Sequence, residues 1–467
     1  MLLAVKDLHG QLRVQALGDA TLAVTDDKTY AFTNPAYLSA LSQPTTFFTM
    51  GRRGGTQRSE QTLDYALDTG VVVSETRPRD PDHRTDRTAR SDWLWTWGGL
   101  LSWKSRFPRG SRVGLGMLVR QQRLTFEQAS RIFTAGRWVR DPVRQAYIFD
   151  ADFWKESRTQ IDHDGTHRAV MLGAGLEWGS IRAGLAGTMA ARDGETHNQT
   201  RFTNSEGFIL TSRSDDFAKS PWGVQAFRMG WAYRMRSHTV IEGYLVLEHD
   251  RERQQPATSA GDSVDGPPSV RSRDQRRTLV LRSIHQVGVR THLVQQLGLR
   301  WGDGDVRMPI PATGHRSETV NTLEIRADLG LSAQLRPETL LVGEAHGTWS
   351  DATRATFETT GTQLMNTEAD TTGLRVNVGI EQHVRTVWAL RIGMVSQHSW
   401  FRTEQSQFDP VATVPLALST TQSRARQIQL TAGLGYRYRS FLEAHYAFKT
   451  DGTLIDDSHA VELVVRF

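Results

Sequence analysis

From Arg424 to Arg439 the chain alternates without a break. Ile428, Leu430, Ala432, Leu434, Tyr436 and Tyr438 share one parity, and Gln427, Gln429, Thr431, Gly433, Gly435, Arg437 and Arg439 the other. A period of two belongs to a β-strand with one apolar and one polar face. The run exceeds the roughly five to six residues usual for strands in globular domains and covers the ~9–11 residues that a tilted strand needs to cross a bilayer. After a turn at Ser440 the chain returns with Val461, Leu463, Val465 and Phe467 facing one way and Glu462 and Arg466 the other.

A soluble chain of 467 residues divides into two or three domains, whereas one large barrel uses this length alone. No stretch of about 18 apolar residues is present, so no transmembrane helix is expected. Hydrophobic residues make up 38% of the chain and the mean hydropathy is −0.45. A membrane barrel is compatible with both values, because only every second strand residue faces lipid and its connections are polar. Cysteine is absent, which excludes disulfides, thiolate metal sites and cysteine nucleophiles. The net charge of +5 comes from arginines scattered among acids, not from one basic block, so nucleic-acid binding is not expected. The start, Met1 to Lys6, has too short an apolar part for a signal peptide; a mature form or a truncated gene start is expected.

Hairpin rhythm pervades the rest. Thr45 to Met50 reads as a first strand, Gly51 to Ser91 as a long polar segment, and from Asp92 strands follow in pairs, at about 167–192, 222–251, 275–303, 320–352 and 371–401. Turns within hairpins are tiny, around Gly179-Ser180, Ser237, Thr291 and Pro337. Connections between hairpins are long and polar, at about 124–166, 193–221, 252–274, 304–319, 353–370 and 402–423. Short turns at one end and long loops at the other are the asymmetry of outer-membrane barrels. The count comes to about sixteen strands. A soluble β-sandwich or propeller is the alternative, but it would need another layer to cover the outward Leu and Trp rows. Trp93, Trp103, Trp178, Trp301, Trp349, Trp400 and Phe467 sit near strand ends, where they would form interfacial girdles.

A terminal strand ending on an aromatic resembles the C-terminus of bacterial outer-membrane barrels. The first 42 residues do not alternate; they contain Leu17-Gly18-Asp19-Ala20 through Asp27, then Asn34-Pro35-Ala36-Tyr37. This stretch resembles the N-terminal segment of FadL-like outer-membrane transporters of hydrophobic compounds and of the related PorV-type barrels. The resemblance implies an N-terminal luminal plug, or hatch, over residues 1–42, with Gly18, Ala20, Asp27, Asn34, Pro35 and Ala36 as its motif, and a barrel over residues 43–467 with long extracellular loops. Asp19 and Tyr37 depart from the pattern, standing where glycine is usual. The expected fold is an all-β, transmembrane, antiparallel up-and-down barrel of about 14–16 strands, fourteen being the number the resemblance suggests.

The inward parity carries charges of both signs, among them Arg326, Asp328, Arg375, Glu381 and Arg437. They read either as a hydrated path or as a packed network of ion pairs. Apolar side chains within the polar connections, Phe126, Phe133, Trp138, Phe149, Phe153, Trp154 and Phe208, are candidate contacts for an apolar ligand or a loop's own small core. Gly114 and Gly116 would allow a kinked strand and a side opening, or make room for neighbours. Asp162-His163-Asp164-Gly165 places acids at the expected rim, but it completes no metal-binding loop. No spacing fixes a catalytic triad, and no cofactor or metal is expected. The resemblance implies passive uptake of a fatty-acid-like hydrophobic molecule through the outer membrane, with outer-membrane lipid as surroundings. The alternative is a PorV-like barrel that holds or shuttles protein partners.

Overall fold

The structure is a computed structural model; it describes Arg13, Leu17 and residues 27–41, 43–63, 82–105, 110–140, 147–236, 238–256, 270–310, 314–357, 363–385, 387–408, 415–439, 441–450 and 458–467. Sixteen strands form one closed antiparallel barrel. They are β1 (Thr45–Leu63), β2 (Asp82–Lys104), β3 (Arg112–Arg140), β4 (Tyr147–Trp178), β5 (Ile181–Asn204), β6 (Ile209–Arg236), β7 (Thr239–Pro256) and β8 (Val270–Gly288). The second half contributes β9 (Thr291–Ile310), β10 (Gly314–Arg336), β11 (Thr339–Phe357), β12 (Gln363–Val384), β13 (Trp388–Phe408), β14 (Pro415–Tyr438), β15 (Leu442–Thr450) and β16 (Ser458–Arg466). Each strand pairs with its neighbours in sequence, and β1 closes on β16 from Thr45↔Arg466 to Arg53↔Ser458. Closure leaves no sheet edge, the condition a β-structure must meet in a medium that offers its backbone no hydrogen bonds.

Alternation is visible around the wall. On β12, Leu374, Val376, Val378 and Ile380 are exposed on the outside, whereas Asn377 and Glu381 are buried inside. The outward Trp103 and Trp93 stand ten positions apart on β2. At ~3.3 Å per residue and a tilt of about 40° this spans roughly 25 Å along the barrel axis, the height of the apolar band of an outer-membrane barrel. The protein is thus an outer-membrane β-barrel, with the tight hairpins such as Gly179-Ser180 on the periplasmic side.

Sixteen strands agree with the count from alternation and correct the fourteen suggested by resemblance. A second correction concerns the connections. Residues 124–166 are strand over most of their length, paired from Leu124↔Gly165 to Ala135↔Trp154, and β1 continues to Leu63 against β2. The barrel wall therefore rises far beyond the apolar band as polar ribbon. Above the membrane both faces meet water, so the apolar half of the alternation disappears while the backbone ladder persists. Alternation reports a buried or lipid-facing side, not the ladder itself.

Ahead of the barrel, α1 (Asp27–Thr33) and a 3₁₀ helix (Pro35–Ser39) lie inside it. They pack against the inward faces of β2 to β6 near the short-turn end.

Candidate functional site in the barrel interior

Asn34 is held extended ahead of Pro35, at φ −114° and ψ 100°, as the proline ring requires of its predecessor. Its Oδ1 accepts the Ala36 N–H at 3.2 Å and so caps the 3₁₀ helix. Its Nδ2 donates to the Trp231 carbonyl of β6 at 3.5 Å. Asn34, Ala36, Leu38 and Ser39 are all completely buried.

This close seating depends on glycines in the wall. A Cβ on Gly114 of β3 would lie 1.9 Å from the Leu38 carbonyl oxygen, one on Gly184 of β5 would lie 2.3 Å from the Pro35 carbonyl, and one on Gly230 of β6 would lie 1.9 Å from Asn34 Oδ1. The segment occupies the volume that side chains would fill. Around it Ala31, Phe32, Leu38 and Leu41 form an apolar cluster with Phe47, Leu100, Leu118, Met171, Ala186 and Val464 of the wall. The Phe32 and Phe47 rings meet edge-on, 6.2 Å apart.

Two ionic anchors complete the seat. Glu242 of β7, fully buried, accepts the Tyr30 hydroxyl at 2.5 Å, the Tyr37 hydroxyl, and Arg282 Nη1 of β8 at 3.1 Å. The Arg282 guanidinium also lies over the Tyr30 ring, 4.9 Å from its centre, and that of Arg182 lies over Tyr37 at 5.3 Å. Burial, followed by the Glu242 carboxylate, pushes both tyrosine hydroxyls well above their ordinary range, so both remain donors. The second anchor is Glu381 of β12. It accepts Arg13 Nε and Nη2 at 2.8 and 2.6 Å, Arg391 Nε at 2.6 Å, and contacts His383 at 3.1 Å. Leu17 rests over Gly379 of the same strand.

Of the expected hatch motif, Asn34, Pro35 and Ala36 sit at the centre of this seat and Asp27 opens α1, while Gly18 and Ala20 lie outside the described residues. Tyr37, a departure from the family pattern, earns its place as a ligand of Glu242. The expected interior charges are paired. Arg326 donates to Asp328 at 2.7 Å and Asp328 contacts His346 at 2.8 Å; Arg375 donates to Asn377 at 2.9 Å, and Arg437 to Glu443 at 2.7 Å. The sequence assigned no role to Glu242, Arg13, Tyr30, Tyr37 or Arg282. The missed signal was a tyrosine pair, Tyr30 and Tyr37, seven residues apart.

The candidate ligand aromatics do not converge. Phe133 and Trp154 stack on the outside of the ribbon, 6.3 Å apart. Phe208 is exposed at a turn against Phe202, Phe126 and Phe153 are half-buried elsewhere, and the side chains of Trp138 and Phe149 lie outside the described residues. Asp164 is bound by Arg123 at 2.7 Å, and among the described residues no group of acids and histidines is arranged to hold a metal ion.

A groove of about 560 Å³ opens on the outside of β1 to β4. Outward Trp97, Leu101, Leu115, Met117 and Leu172 surround Gly99, and inward Leu100, Gly116 and Gly173 form its floor. The same three inward residues contact the seated segment or its cluster, since a Cβ on Gly116 or Gly173 would lie 2.5 or 2.8 Å from the Leu38 side chain. Between groove and interior the wall is one backbone thick.

No protein-family model matches the chain. No curated protein matches it either. Among solved structures it is similar to a Pseudomonas aeruginosa FadL homologue, at 10% identity and a TM-score of 0.41 over 98% of both chains. It is similar also to the Ralstonia pickettii toluene transporter TbuX, at 10% identity and a TM-score of 0.35 over 97% of both chains. For the Pseudomonas putida toluene transporter TodX the identity is 12% and the TM-score 0.31, over 97% of this chain and 96% of that one.

Proposed function

We propose that the barrel mediates passive uptake of hydrophobic small molecules across the outer membrane, with residues 1–42 as a luminal plug. The observation that carries this reading is the thin wall. An apolar cluster inside, around Phe32 and Leu38, and an apolar groove outside, around Gly99, share Leu100, Gly116 and Gly173. An apolar solute that reaches the interior cluster has a short route sideways into lipid, where its transfer free energy is favourable. The paired charges of the opposite wall offer it no such surface. The anchors at Glu242 and Glu381 set how firmly the plug is held, and movement of Leu38 away from the two glycines opens the route.

Gly99 provides the test. A Cβ there meets only the Trp97 ring, at 3.7 Å, so Gly99→Leu fills the groove from outside without touching the plug. In proteoliposomes the variant is expected to take up toluene and a fluorescent long-chain fatty acid at least about fivefold more slowly than wild type, with an unchanged trace permeability to a sugar. Equal uptake by the two proteins, or wild-type protein that admits neither probe, overturns the reading.

A further inference from the structure

Above the girdle, the outer face of β3, β4 and β5 sorts its charges into bands. Arg131 stands directly opposite Arg158, and Arg158 directly opposite Arg201. Three guanidinium groups thus lie side by side on adjacent strands, and like charges in that position destabilise a sheet. Arg87 and Arg213 flank the row, opposite Ala129 and Gln199, the residues two before Arg131 and Arg201 on the same face. One carboxylate, Glu156, is shared between Arg131 and Arg158, 3.0 Å from the latter. Its partial burial opposes ionisation, but the two arginines outweigh that and hold it below the ordinary carboxylate range. Arg201 has no hydrogen-bond or ion-pair partner among the described residues. The side chains of Arg131 and Arg158 are 57% and 63% exposed. Immediately above the row, Phe133 stacks on the exposed Trp154.

Position narrows the partner. Trp93, at the girdle, is opposite Arg123, and Arg131 stands eight positions further along β3, about 20 Å higher at ~3.3 Å per residue and the tilt of such barrels. The row faces away from the lumen, across the plane of the outer leaflet, where the sugars of the leaflet's own glycolipids stand against the wall. A soluble ligand bound for the interior would instead meet the inward rows. Guanidinium groups grip phosphate and carboxylate bidentately, and a flat aromatic stack accepts the apolar face of a sugar ring.

We propose that Arg131, Arg158 and Arg201, with the Phe133–Trp154 stack, bind the acidic, phosphorylated core sugars of surrounding lipopolysaccharide. The anion relieves the repulsion among the three arginines, and the glycolipid seals the ribbon against its neighbours in the leaflet.

The experiment uses purified full-length barrel in detergent, as wild type and as the Arg131→Gln/Arg158→Gln/Arg201→Gln variant. Each is titrated with rough-type lipopolysaccharide carrying a phosphorylated core, with the same material after dephosphorylation, and with soluble inorganic polyphosphate. Wild type is expected to bind the phosphorylated form at least about tenfold more tightly than the variant does, as loss of charge-assisted hydrogen bonds implies, and to weaken as salt is added. It is expected to prefer that form over both other probes. Equal binding by the variant, indifference to dephosphorylation, or equally tight polyphosphate binding each overturns the proposal. Without glycolipid the variant should melt close to the wild-type temperature, because relief of the repulsion offsets the loss of the two exposed pairs with Glu156; a much lower melting temperature marks the row as structural and also overturns it.

Discussion

The two sides of the barrel interior solve the same problem in opposite ways. Both must fill a lumen behind an outward apolar band. On β2 to β6 the inward positions beneath the seated segment are mostly small or apolar, among them Gly114, Gly116, Gly173, Gly184, Ala186 and Leu100, and the space is filled by backbone and side chains of another part of the chain. On β7 to β15 the wall fills its own space with long paired charges, among them Arg326–Asp328, Arg391–Glu381 and Arg437–Glu443. A smooth surface grips by fit and permits withdrawal; a cross-braced one fixes the shape of the wall. The seated segment lies on the smooth side and is tied by carboxylates of the braced side, through Glu242 and Glu381.

Removing one tie is expected to have the largest effect. Glu242→Gln removes the carboxylate that Arg282 donates to and weakens the bonds from Tyr30 and Tyr37, so the cost should approach the ~3–5 kcal/mol of a broken buried ion pair. Hydrogen exchange across residues 27–41 should accelerate sharply. Asp328→Asn, within the braced side, should lower the melting temperature of the barrel while leaving exchange in residues 27–41 at its wild-type rate. If the two variants loosen the segment equally, the division of labour between the sides is wrong.

Fit is the next target. Gly184→Ala forces a methyl group to within 2.3 Å of the Pro35 backbone, where no flexible side-chain end can give way. A cost of about 1–3 kcal/mol is expected, as for an overpacked core, and it should appear as protease sensitivity near Asn34. Gly298→Ala is the matched change on the braced side, where the new Cβ meets Arg326 Cβ at 3.7 Å, an ordinary contact. It should shift stability by less than about 0.5 kcal/mol. A Gly184→Ala barrel as protease-resistant as wild type would mean that the segment does not rest where its contacts place it.

Sequence alone revealed the side of each strand that meets something apolar, and little else. Leu374, Val376, Val378 and Ile380 announced β12 because lipid demands an apolar row, and the count of sixteen followed from such rows. The ribbon from Leu124 to Ala135 was invisible because water makes no such demand on either face. In the interior, the extended Asn34 ahead of Pro35 was legible through the backbone restriction that proline imposes. Glu242 was not, since its role depends on Tyr30 and Tyr37 folding back more than two hundred residues along the chain. The glycines were legible only as gaps; what fills them is a tertiary fact.

The outer face offers the weakest contrast and so sharpens the comparison from below. Arg123 binds Asp164 through two hydrogen bonds, at 3.1 and 2.7 Å, with geometry as good as that of Arg13 on Glu381. Yet the pair stands above the apolar band with side chains 61% and 50% exposed. Hydrogen bonding from Arg123 holds the Asp164 carboxyl below its ordinary range, against a smaller opposing effect of burial. A depressed carboxyl contributes stability that is present above its unfolded-state value and is lost as pH falls through the native one, here below about pH 4. Solvent and salt screen such a pair. Arg123→Gln should therefore melt with wild type at neutral pH in high salt, fall slightly below it at neutral pH in low salt, and converge with it again once the pH is low enough to protonate the Asp164 carboxyl in the folded state. A loss at neutral pH comparable with that of Glu242→Gln would show that geometry, not burial, sets the worth of an ion pair in this barrel.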